Sequence, residues 1–364
     1  MAGLASLQGD IMPIPTEPIG SIPRPANLIW AMGERQAGRM PEAEFTRIAA
    51  DALADTIHRF EATGSPVITD GEQTKSSFAT YPLDGASGVA PDGLVIPFED
   101  GHTRQLPRLV AGPFRYATHA AAFLAAARGL TARPIKQAVI SASALSLLYP
   151  ESGIEGYPRE TFIADLVDEA AGDIRRCLDA GADSVQIDFT EGRLSLKLDP
   201  SGGLLERFVA LNNQVLDRFS PDERRRIGVH TCPGGDRDAT HSAAVDYANL
   251  LPVLFQLRAG RFYLQLASER DPRHVLELVR AHRGDRRVFV GVIDPIDPRV
   301  ETPEEVCDRI RVAADYIPAS ALGSTDDCGF SPFADDASTS RDIAFAKIRA
   351  RVEGTAMAAR QLGV

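Results

Sequence analysis

The chain has little cysteine and little tryptophan, no surplus of positive charge and no long apolar run. Each shortage removes a class of protein. Four cysteines in 364 residues are too few for a disulfide scaffold, which packs them far more densely. One tryptophan and seven tyrosines offer few planes for stacking bases. The formal net charge is -11, whereas nucleic acids and anionic membranes recruit clustered Lys and Arg, so neither is expected as a partner. No run of about eighteen apolar residues occurs, so nothing reads as a membrane span. The opening residues carry no basic stretch followed by a long apolar one, so no secretory signal is read and a reduced cytoplasmic setting is expected. Gly-rich phosphate loops of the G-x-G-x-x-G or G-x-x-x-x-G-K-[ST] type are missing too.

What is present, 44% hydrophobic and 24% charged residues, is the make-up of an ordinary globular protein with room for a sizeable core. Short apolar runs end in polar or glycine turns at Ser65–Glu72, Pro134–Ile140, Ser184–Asp188, Ile227–His230, Phe262–Leu266, Val288–Asp294 and Ala319–Ser324. Amphipathic stretches with apolar residues three and four apart separate most of them, over Glu42–Thr63, Arg159–Ala180, Gly203–Phe219, Asp271–His282 and Pro303–Tyr316. The last begins with Thr302 as N-cap, Pro303 at the first position and Glu305 completing a capping box.

Alternation of this kind predicts a parallel sheet. With a leading strand near Pro18–Ser21 the count reaches eight, so the fold class expected is α/β, a closed (β/α)8 TIM barrel forming a single domain over residues 1–364. The lead to Pro25 carries five prolines, and residues 1–18 read as an extended arm. Residues 76–114, rich in Gly, Pro and Asp, read as a loop or hairpin inserted after the second strand, over the barrel mouth. Glu72, Asp188, His230, Gln265, Asp294 and Cys328 all fall at or just past the C-terminal end of a predicted strand, the end where barrels keep their active sites.

Two of those positions suit a metal. In an extended strand, side chains two apart share a face, so His230 and Cys232 can address one point. Cys328 ends another strand. An imidazole, two thiolates and a fourth ligand make a soft tetrahedral set for Zn²⁺, and three strong protein ligands would leave one position for substrate. A Cys232–Cys328 disulfide is the competing reading. Cys177 and Cys307 lie inside helical patterns, as small buried hydrophobes do.

Ile19-Gly20-Ser21-Ile22-Pro23-Arg24, Asp70-Gly71-Glu72, Gln186-Ile187-Asp188, His230-Thr231-Cys232, Asp294 with Pro298-Arg299, and Asp327-Cys328-Gly329 run in one order along nearly the whole chain. With them the chain resembles the C-terminal catalytic barrel of cobalamin-independent methionine synthase and its stand-alone single-barrel relatives. The resemblance implies that His230, Cys232 and Cys328 hold zinc. It implies that Ile19, Gly20 and Ser21 hold an amino-acid carboxylate, and that Glu72 and Asp188 hold its ammonium. Asp188 and Asp294 are the candidate catalytic carboxylates. Three positions depart from the family. Gln265 stands where the fourth zinc ligand is a glutamate, with Glu269 reachable only by a shift of register. Ile296 replaces the histidine that donates a proton to the folate. Ser141-Ala142-Ser143-Ala144 replaces the tryptophan that stacks on the pterin.

The expectation is therefore a zinc-dependent thiol S-alkyltransferase. In its leading form a methyl or alkyl donor gives its group to a small thiol such as homocysteine. The runner-up is epoxide opening by coenzyme M, as in the epoxyalkane:coenzyme M transferases, with Arg299, Arg270 and Lys197 as candidate sulfonate partners. A zinc-free barrel like uroporphyrinogen decarboxylase and a non-catalytic zinc-binding protein are the remaining alternatives.

Overall fold

The computed structural model describes residues 14–364. Of the arm expected over residues 1–18, the first thirteen residues lie outside the described part. Six strands form one parallel sheet: β1 (Lys136–Ile140), β2 (Ser184–Asp188), β3 (Ile227–Thr231), β4 (Arg261–Leu264), β5 (Arg287–Ile293) and β6 (Leu322–Asp326). Their order in the sheet is their order in the chain, as successive right-handed strand–helix–strand units produce. β1, β2, β3 and β6 are buried at every position, because a parallel sheet is covered on both faces.

The two runs expected as the first and second strands do not form regular strands. Each contributes a single parallel bridge at a sheet edge, Thr16 to Ser324 beside β6 and Ile68 to Ile135 beside β1. The two segments meet through isolated hydrogen bonds: the Ile22 amide donates to the Gly71 carbonyl at 3.0 Å and Thr69 Oγ1 to the Gly20 carbonyl at 2.8 Å. The six-stranded parallel sheet is thus established, and the eight-stranded count is reduced to six strands plus two bridged segments. Ladder bonds give way here because the Pro15–Pro25 region has prolines without amide donors and Asp70–Lys75 is a turn.

Register puts the polar residues on one face. Ile140, Asp188, His230, Tyr263, Phe289 and Gly323 form a single row across the six strands. The alternate residues, among them Val139, Ile187, Val229, Phe262 and Val288, join the main apolar cluster that the helices cover. A separate cluster of Ile19, Tyr263 and Phe289 lies on the polar side, with the last two rings stacked 4.7 Å apart. Gly228 makes room for it, since a Cβ there would sit 2.5 Å from the Tyr263 ring.

The expected helices form over Glu42–Ala62, Arg159–Asp179, Gly203–Leu216, Pro272–His282 and Pro303–Ala314. The Thr302–Glu305 capping box closes through both of its hydrogen bonds. A further helix, over Arg341–Leu362, was not expected from the sequence; it packs against the Pro303–Ala314 helix and β6. Residues 76–114 contain two short antiparallel pairs, Val89–Ala90 with Arg108–Leu109 and Val95–Pro97 with Thr103–Gln105.

Candidate metal centre

β3 ends in Thr231, and the chain then turns sharply through Cys232-Pro233-Gly234-Gly235. Gly234 has φ +73°, and a Cβ there would lie 1.8 Å from His241 Nε2, so only glycine allows the loop to fold back over the strand end. β6 ends in Asp326, and Cys328 follows two residues later. These turns bring the ligand atoms of His230, Cys232 and Cys328 within 4.8 Å of one another. The two Sγ atoms lie 3.3 Å apart, and both cysteines are free thiols. The pairing of Cys232 with Cys328 is therefore a juxtaposition of thiols, not a disulfide.

The donor set fits a soft divalent metal. In tetrahedral zinc, with Zn–S near 2.3 Å, two thiolate sulfurs stand about 3.8 Å apart, so roughly half an ångström of opening would suffice. Burial lowers the pKa of His230 to about 3, which keeps the ring neutral and able to coordinate. Its Nδ1 is buried without a hydrogen-bond partner. The Cys328 thiol is pushed well up, first by the neighbouring Cys232 and then by burial. A metal reverses that direction by displacing the thiol protons.

The other sequence-predicted residues gather in two adjoining cavities, both open to solvent. One, with about 370 Å³ of empty space, is lined by Ile19, Gly20, Ser21, Glu72, Asp188 and His230, with Cys328 at its wall. The other, of about 710 Å³, shares Cys328 and adds Gln265, Asp294 and Asp327. Asp188 sits directly opposite His230 in the β2–β3 register and accepts from Gln186 Nε2 at 2.7 Å. Burial first, and the charge of Glu72 second, hold the Asp188 carboxyl well above the usual carboxylate range. Glu72 is buried and paired with Lys75, Oε1 to Nζ 3.0 Å, so its counter-charge is a lysine three residues along. Ser21 Oγ accepts from the Ser331 amide at 3.2 Å, tying the leading segment to the loop after Cys328.

Gln265 Nε2 donates to Ser268 Oγ at 2.6 Å, while its Oε1 is buried without a partner. Glu269 is turned away to a half-buried ion pair with Arg193 at 2.6 Å, so a register shift does not bring it to the cysteines. Arg299, Arg270 and Lys197 are exposed and line none of the cavities at the strand ends. Arg299 is instead held by Glu305 at 2.7 Å, the carboxylate that also closes the Thr302 capping box. The sulfonate partners expected of them are not at the site.

Three residues important here were not singled out from the sequence. Asp327 accepts from the amides of Leu266, Ala267 and Ser268 and from Ser268 Oγ, all within 2.9 Å, fixing the Gln265 loop to the Cys328 loop. Lys75 pairs with one carboxylate oxygen of Glu72. Glu191 lies in the wall of a third cavity of about 1220 Å³, between residues 76–106 and the strand ends. Its Oε1 accepts from Ser141 and Ser143, and its Oε2 is buried and unpartnered. Burial pushes its pKa up to about 7. The Thr-Glu-Gly stretch after Asp188 had offered only a polar strand end as a clue.

Over residues 14–344 the chain matches the family described as "Cobalamin-independent synthase, Catalytic domain". It is 24% identical over 356 residues to a methionine synthase of Sulfurisphaera tokodaii, covering 97% of this chain and 95% of that one. It is 26% identical to a 5-methyltetrahydropteroyltriglutamate–homocysteine methyltransferase of Streptomyces griseus, covering 96% of this chain but 42% of that longer protein. Among solved structures, a B12-independent methionine synthase from Shewanella sp. W3-18-1 in complex with selenomethionine shares the fold, with TM-score 0.75 and 21% identity over 96% of this chain and 98% of that one.

Proposed function

This chain belongs to the cobalamin-independent synthase catalytic-domain family, and from that premise we propose a zinc-dependent methyltransferase whose acceptor is a small thiol, homocysteine foremost. The observation that carries the reading is the convergence of His230, Cys232 and Cys328 beside a cavity lined by His230, Cys328, Glu72 and Asp188. Names of relatives favour methyl transfer over epoxide opening, since the two quoted above are methionine-forming methyltransferases. We read the sheet as the larger part of a closed (β/α)8 barrel forming one catalytic domain, because Thr16 and Ile68 extend its two edges and their segments touch.

His230, Cys232 and Cys328 would hold the zinc, with Gln265 Oε1 or water as a fourth donor. Zinc in such a set lowers the pKa of a coordinated thiol, so the acceptor sulfur is nucleophilic at neutral pH. Gln265 brings no charge, so the site carries one negative charge less than a glutamate would give it. Ile19, Gly20 and Ser21 would receive the acceptor's carboxylate, and Glu72 with Asp188 its ammonium, a charge pairing that aligns the sulfur. The methyl donor would enter through the larger cavity, where Ile140, Ala144 and Leu147 give an apolar wall and Glu191 a polar handle. As the sulfur's electron pair forms the S–CH₃ bond, the donor's bond to that carbon breaks and its pair stays on the donor. Asp294, which lines the adjoining cavity with Cys328, would take up the proton released by the acceptor thiol and pass it to the departing donor, a task for which Ile296 offers no group.

Metal analysis of protein purified without chelator should find about one zinc per chain, lost in Cys232→Ala and in Cys328→Ala. Homocysteine should shift the zinc absorption edge. Folded variants that keep the metal, or an edge indifferent to every thiol tested, would overturn the assignment.

A further inference from the structure

The hairpin over Val95–Gln105 is attached to the strand ends through one buried ring, Phe98, packed 5.5 Å from His241, one backbone bond from the Glu99 amide to the Thr240 carbonyl at 3.0 Å, and a cluster of charges. Its strands are otherwise only intermediate to exposed, which leaves the charges as its most extensive tether. Arg104 reaches two loops at once. Its Nη2 meets Asp236 Oδ1 at 3.0 Å and Asp335 Oδ1 at 2.9 Å, its Nε bonds Asp236 Oδ2, and its Nη1 bonds Asp335 Oδ2 at 3.1 Å. The guanidinium lies 4.2 Å above the Phe333 ring. His102 Nε2 adds a contact of 2.9 Å to Asp236.

The two loops are those that carry the sulfurs. Asp236 follows Cys232 by four residues, Asp335 follows Cys328 by seven, and a Cβ placed on Gly235 would lie 3.8 Å from the Cys328 thiol. The side chain of Asp236 is completely buried, and a buried carboxylate deprived of its cation is driven toward water. Loss of Arg104 would therefore draw the 233–240 loop outward, and Cys232 with it. A planar five-donor fork can hold two carboxylates in fixed relation, which an ammonium cannot.

We propose that Arg104 is a positioning residue that ties the hairpin to both cysteine-bearing loops, so that the cover of the large cavity and the geometry of the metal centre are one unit. The proposal rests on the metal reading above. Outer partners of metal ligands commonly change metal affinity by about 10- to 100-fold when removed, and Arg104, which bonds no ligand itself, acts on two of them through their loops.

The test compares wild type, Arg104→Gln and Arg104→Lys loaded with Co²⁺. Chelator should strip cobalt about 10- to 100-fold faster from the Gln variant, with its sulfur-to-cobalt absorption band displaced and the Lys variant between the two. Hydrogen exchange of the metal-free proteins supplies a readout that needs no metal: residues 95–105 and 233–240 should quicken together in Arg104→Gln. A variant whose hairpin exchanges faster while its cobalt release and spectrum match wild type would overturn the proposal. So would quickening confined to the hairpin. If wild type binds no cobalt, the metal reading fails, and the linkage is judged by whether the two segments still exchange in step.

Discussion

Replacing Glu191 by Gln should remove a pH dependence of stability worth about 3 kcal/mol. The folded-state pKa of Glu191 is near 7 against an ordinary 4.5, raised by burial and only partly lowered by the Ser141 and Ser143 hydroxyls. Every tenfold change in proton affinity is about 1.4 kcal/mol, and the side chain is almost fully buried, so solvent screening takes little away. The sign follows from proton uptake. Between about pH 4.5 and 7 the folded protein holds this proton and the unfolded chain releases it, so stability falls as pH rises through that window and the loss is complete above pH 7. Gln keeps an acceptor for both serines and never ionises. Urea unfolding of wild type and Glu191→Gln at pH 5, 6, 7 and 8 isolates the effect, because every other titrating group cancels in the difference. The variant should gain on wild type steadily with pH, by about 3 kcal/mol in all. A difference that stays flat across the range would refute the claim that this carboxyl is buried in its charged form at high pH.

Two further substitutions test the scaffold of the site. Gly234→Ala places a methyl group against the His241 ring at a positive φ, so zinc affinity measured by chelator competition should fall at least about tenfold, roughly one to two kcal/mol of backbone strain alone being of that order; unchanged affinity would show that the turn does not set Cys232. Arg351→Met strips the buried Asp326 of its ion-pair partner, and should cost about 3–5 kcal/mol in urea unfolding. The added change Asp326→Asn should recover part of that loss; equal instability of the single and double variants would mean that the charge pair is not the cause.

The legible parts of the molecule were those with local signals. The helix over Pro303–Ala314 carries its own N-cap, and the β strands announce themselves as apolar runs ended by polar turns. The helix over Arg341–Leu362 has no such clarity. Its buried side includes Lys347, Arg351 and Thr355, satisfied by Glu301, Asp326 and Ser324, so the periodic apolar stripe is broken by charges whose partners lie far along the chain. Likewise Lys75 reads as an ordinary loop lysine until the turn at Asp70–Lys75 folds its amine onto Glu72.

From residue order alone came the α/β alternation, the strand ends at which reactive groups fall, and the pairing of His230 with Cys232 on one face, because a period of two is a local property of extended chain. The resemblance added Cys328 to that pair, and the structure brings the three together. Tertiary structure alone decided that Glu269 is paired with Arg193, that the candidate sulfonate partners lie away from the site, and that two of the eight expected strands are single bridges. Those outcomes depend on which distant segment supplies a counter-charge or a hydrogen-bond partner, and no spacing within a strand or helix encodes that choice.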